Sequence, residues 1–120
     1  MLGARVVEKE IEEEGKVFRV LGLEMNNAYL VFLSERESQL GTLAVALPQL
    51  QELVDASISS VLLGDRNTVL ARVFAEQFAQ KTKKIALVSV FTRTVNEREA
   101  GTIFMKLVKI LTESSEDKTK

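Results

Sequence analysis

Cysteine, histidine and tryptophan are absent from the 120 residues, and proline occurs once. Without cysteine there is no disulfide, no thiolate zinc site and no cysteine nucleophile. Without histidine the commonest general base and the commonest metal ligand are gone. Charge of one sign is also lacking: the formal net charge is −1, which removes the basic footprint expected of a nucleic-acid binder. No apolar run approaches the ~18–20 residues needed to cross a bilayer. The opening MLGARVVEKEIEEEGK turns acidic within eight residues and lacks the apolar core of a signal peptide. What is present is 46% hydrophobic and 28% charged residues, a globular composition. A chain of this length makes one domain that buries roughly two-thirds of its unfolded surface. These absences predict a cytoplasmic, non-catalytic protein with no metal, no cofactor, and neither nucleic acid nor membrane as partner.

The first half reads as strands. Val6 to Glu12 places Val7 and Ile11 on one side and Glu8, Glu10 and Glu12 on the other, an edge strand guarded by charge. Glu13-Glu14-Gly15-Lys16 is a hairpin turn, and Val17 to Glu24 is the returning strand. Asn26-Asn27 supplies the next turn. Ala28 to Leu33 is apolar on both faces, as a central covered strand would be. After the polar stretch Ser34 to Gln39, Leu43, Val45 and Leu47 alternate with Thr42, Ala44 and Ala46, and Pro48 ends the pairing. This half predicts an antiparallel meander, and Ser57 to Leu63 adds a fifth strand.

Past Gly64 the period changes. Val69, Leu70, Val73, Phe74 and Phe78 make one stripe of an amphipathic helix from Thr68 to about Lys83. Asn67 or Thr68 is its natural N-cap, and Lys81, Lys83 and Lys84 suit the negative end of its dipole. Ile85 to Thr92 is again apolar on both faces. Asn96 to Glu99 has the form of a capping box opening a second helix, whose core stripe is Ala100, Ile103, Phe104, Leu107 and Leu111. The expected fold is therefore α+β: an antiparallel sheet of about six strands, meander first, with two helices in the C-terminal half. Residues 1–113 form the single domain and residues 114–120 a flexible polar tail.

Four features bear on function. Gly64, Arg66, Asn67 and Thr68 lie where a strand turns into a helix, a place that can hold an anion. They lack the second glycine and the lysine of a nucleotide loop, and a plain turn with an N-cap accounts for them better. Glu12-Glu13-Glu14 lacks the ligand spacing of a calcium loop and reads as a solvated hairpin tip. Lys81, Lys83 and Lys84 are either a docking patch for an acidic partner or dipole-matched helix-end charges. The second helix carries Met105, Val108 and Ile110 beyond its core stripe. That surplus predicts a contact with another subunit, because an exposed apolar patch is otherwise a liability.

Three segments in order resemble one family. Ala28 to Leu47, AYLVFLSERESQLGTLAVAL, is similar to the apolar strand, polar loop and GTL-type strand of proteasome assembly chaperone 3. Ser59 to Ala79 resembles its VLLG turn and the helix with a VFA core, and Ile85 to Leu111 its closing strand and helix. The turn and the KTKK stretch are also similar to the paralogue, proteasome assembly chaperone 4. The resemblance implies a dimer, with itself or with a paralogous chaperone, that binds α-type subunits of the 20S proteasome while their ring assembles. By position it also implies partner contacts from the loop of Gln49 to Ala56, including Gln49, Gln51, Glu52 and Asp55, although the loop's own sequence departs from the family's. Two other readings stand beside it: a homodimeric roadblock-like scaffold, and a small anion sensor at the Gly64–Thr68 turn.

Overall fold

The computed structural model describes residues 5–48 and 58–118. Its elements run β1 (Arg5–Glu13), β2 (Lys16–Glu24), β3 (Ala28–Glu35), β4 (Thr42–Leu47), β5 (Ile58–Leu63), α1 (Thr68–Thr82), β6 (Ile85–Phe91) and α2 (Glu97–Lys118). The strands form one sheet in the order β1-β2-β3-β6-β4-β5. Neighbours are antiparallel except β3 and β6, which are parallel. The fold is α+β, with both helices in the C-terminal half.

The meander is shorter than the alternation of the first half suggests. It ends at β3, and β6 is inserted between β3 and β4. The reason lies in composition: β3 and β6 are the two strands apolar on both faces, so pairing them at the centre removes most apolar surface from water. The segment from Arg36 to Gly41 must then pass over the end of β6. Gly41 makes that crossing possible, since a Cβ there would stand 2.2 Å from the Val90 carbonyl oxygen. Its N–H donates to Ser89 Oγ at 2.8 Å, and Ser34 Oγ receives the Gln39 N–H at 3.1 Å.

The first hairpin follows the expected turn. Glu14 and Gly15 both have positive φ, at 53° and 79°, which a two-residue connection between right-twisted strands requires. At the second helix, the Glu99 N–H donates to Asn96 Oδ1 at 2.8 Å and the Asn96 N–H to Glu99 Oε1 at 3.2 Å, a complete reciprocal box. The α2 backbone stays helical to Lys118, across most of the stretch read as a tail.

Both helices lie on the same face of the sheet. Phe18 of β2 meets Phe104 of α2 edge-on at 5.8 Å, and Tyr29 of β3 meets Phe78 of α1 at 5.2 Å. Val20, Val31, Leu33, Ala44, Ala46, Ala86, Val88 and Val90 complete this side of the core and are all buried. The alanines of β4 and α1 (Ala44, Ala46, Ala71, Ala75) let the helix approach closely. The shortest molecular dimension, 20 Å, is that of one sheet and one helix layer.

Candidate interaction surfaces

Among the described residues no group of three or more acidic side chains converges as a metal site would need, and no helix is long and apolar enough to cross a membrane.

The turn before α1 is occupied by the protein itself. Asn67 is the N-cap residue but adopts φ 59° and makes no side-chain cap. Its Nδ2 donates instead to Thr92 Oγ1 at 3.0 Å, and Arg66 Nη2 reaches the same oxygen at 3.3 Å. The open amide of Leu70 donates to Glu97 Oε2 at 2.8 Å. Both helices begin at this end of the sheet, so two positive dipole ends lie side by side, and the Glu97 carboxylate sits between them. Gly64 has φ 95° and stands against Thr42, where a Cβ would come within 2.5 Å of the hydroxyl. Beside Gly64, Arg66, Asn67 and Thr68, the Glu97 carboxylate thus brings an internal negative charge to the turn.

Glu35 was read as part of a polar loop; the structure extends β3 through it and buries it. Its carboxylate receives the N–H groups of Arg93 and Thr94 at 2.7 and 2.9 Å and the Thr94 hydroxyl. Burial alone pushes its pKa up. The Thr94 hydroxyl and the backbone amides of Arg93, Thr94 and Val95 outweigh that and hold it below its ordinary value of 4.5. It ties the β6–α2 connection to the end of β3.

The strand ends that flank the expected partner loop lie at the opposite end of the sheet. Gln49, Gln51, Glu52 and Asp55 lie outside the described residues. The flanking Leu47 and Ile58 pair with each other, and Ala46 pairs with Ala86 near the start of β6. Lys83 and Lys84, which precede β6, therefore share that end. They differ in condition: Lys84 Nζ is held by Glu24 Oε2 at 3.0 Å and the Met25 carbonyl at 2.9 Å, whereas Lys81 and Lys83 are exposed. Lys83 also closes α1 in the left-handed region, its N–H donating to the Ala79 carbonyl.

Met105, Val108 and Ile110 do not form one patch. Met105 and Val108 line a groove between the helices, together with Phe78 and Lys81. Ile110 is five residues beyond Met105, about 140° further round the helix, on the flank away from α1.

A second apolar surface is one no single segment announces. Alternation puts Leu21 and Leu23 of β2, Leu30 and Phe32 of β3, Leu43 and Val45 of β4, and Leu87 of β6 on the sheet face opposite the helices. All are only half-buried. The acidic row Glu8, Glu10 and Glu12 borders it on β1, with Glu10 paired to Arg19, while β5 ends the other side with exposed Ile58 and Leu62. The sequence signal was there: β3 and β6 were apolar on both faces, and the chain supplies helices for only one.

No protein-family profile matches the sequence, and no curated protein matches it. A solved structure does. A chain in the crystal structure of a chaperone complex for yeast 20S proteasome assembly superimposes with a TM-score of 0.70, covering 98% of each chain at 14% identity. The two chains share one fold. That agreement extends over nearly the whole length of both chains.

Proposed function

We propose that this protein is a non-catalytic assembly chaperone that acts as a dimer in the cytoplasm and binds α-type subunits of the 20S proteasome while their ring forms. The observation that supports it best is the fold shared end to end with a chain of a proteasome assembly chaperone complex. In this chain the motif AYLVFL lies in β3, GTL leads into β4 and VLLG ends β5. The open sheet face supports the dimeric part. Six strands about 4.8 Å apart and ~20 Å long present roughly 600 Å² in projection, close to the ~800 Å² per partner of a stable interface. The self-association surface is therefore the sheet face, with the α2 residues Met105, Val108 and Ile110 as the rival joint.

Client contacts are assigned to Gln49, Gln51, Glu52 and Asp55, and to the sheet end that carries Lys81, Lys83 and Lys84. Lysines there steer an acidic client and set its register more than they add affinity, which suits a chaperone that must leave. Native mass spectrometry of the protein with each α-type subunit from the same source tests the reading. A dimer that forms a defined complex with one of them is the expected result. A dimer that ignores every α-subunit keeps the fold and sinks the function.

A further inference from the structure

The groove between the helices has a size, a floor and a charge that specify an occupant. The helices are joined at their N-termini, where Glu97 takes the Leu70 amide and Gly101 lies against Leu70 (a Cβ there would be 3.5 Å from its Cδ1). Toward their C-termini they leave a groove of about 510 Å³ between Gln77–Lys81 and Met105–Glu113. That is the range of sites that enclose several side chains. Phe78 forms the floor, buried to 3% exposure, while Met105 stands 36% exposed at the wall beside Val108. Lys81 and Lys109 flank the apolar floor from opposite helices, with Glu113 the one acid on the lining. Neither lysine has an ion-pair partner among the described residues.

We propose that this groove docks an amphipathic helical segment of another polypeptide, whose apolar side chains at i and i+4 enter between Phe78, Met105 and Val108 and whose flanking carboxylates meet Lys81 and Lys109. A groove between helices takes apolar anchors at that spacing, and two exposed lysines on its rim select acid and disfavour base. A second copy of this chain is a poor match. The exposed apolar pair on α1, Val69 and Val73, has Arg66 and Arg72 beside it, and the flank of α2 away from the groove carries Arg98 and Lys106. Either would bring cations to the lysines. The inference goes beyond the chaperone reading and does not depend on which protein supplies the helix.

The test uses the full chain and two synthetic probes. One is a blocked, fluorescein-labelled helical peptide with two leucines four residues apart and a glutamate beside each; the other replaces both glutamates with lysine. Fluorescence anisotropy should show the acidic peptide binding at least tenfold tighter than the basic one, with the preference shrinking as salt rises. The double variant Lys81→Glu, Lys109→Glu should reverse the preference, which also shows that it is folded. Val108→Glu should abolish binding of both peptides while leaving the oligomeric state unchanged. Equal binding of the two peptides, no binding of either, or an unreversed preference in the double variant overturns the proposal. Loss of self-association in Val108→Glu assigns the groove to the joint between copies and overturns it too. Peptide binding that survives when no α-subunit binds would sink the proposed function and leave the groove standing.

Discussion

Two glutamates do structural work that their exposed-looking sequence contexts conceal. Glu97 belongs to the first turn of α2 and also receives the Leu70 amide of α1, so one carboxylate serves two helix N-termini. Glu97→Ala should cost about 1–2 kcal/mol by urea unfolding, from a lost cap and two unopposed dipole ends. Glu97→Gln, which keeps an acceptor without charge, should cost less and respond less to salt. Glu35 makes the pH-dependent contribution. Its folded pKa lies below its ordinary 4.5, so the native state favours the carboxylate. The stability it adds is full above the ordinary value and is lost as pH falls through the folded one. Unfolding measured between pH 7 and pH 3 should show a loss beginning near pH 4.5 that is flatter in Glu35→Gln. At pH 7 that variant should already be weaker by about 1–3 kcal/mol, since an amide group cannot accept from every donor in the cradle.

At the scale of elements, the β3–β4 crossing decides the topology. Placing β6 between β3 and β4 obliges the connection to run over the end of β6, and only a residue without a side chain passes there. Gly41→Ala should lose about 2–3 kcal/mol, because the contact is with the Val90 backbone, which has no rotamer to yield. Thermal unfolding of the variant checks this, and an unchanged midpoint would mean the crossing relaxes freely. Periodicity made the strands and helices legible, and the Asn96–Glu99 box was legible to the residue. The parallel pairing of β3 with β6 was not, because alternation reports which faces are apolar and says nothing about which strand lies beside which.

At the scale of the whole molecule, one layer of helices on a six-stranded sheet leaves a choice of joint. Phe32→Lys or Leu87→Lys, both on the open face, should shift the proposed dimer to monomer in sedimentation without unfolding it, as both side chains are already half-exposed. Val108→Glu should leave the dimer intact. The reverse pattern would move the joint to α2. The surplus apolar residues of α2 were visible in the sequence. Their division between a groove (Met105, Val108) and the far flank (Ile110) needed the helix to be laid on the sheet.

Composition and periodicity alone determined that the fold is α+β, that the sequence carries no thiol or imidazole, that β1 presents a guarded edge, and that β3 and β6 belong in the interior. Those properties follow from local rules, a side chain's own chemistry and the spacing of its neighbours. Tertiary structure decided where Glu97 and Glu35 would find their donors, which side of the sheet both helices would cover, and hence which apolar face would be left for a partner. Each of these joins residues remote in sequence, such as Leu70 with Glu97 or Glu35 with Thr94, and such distances are set only when the whole chain has packed.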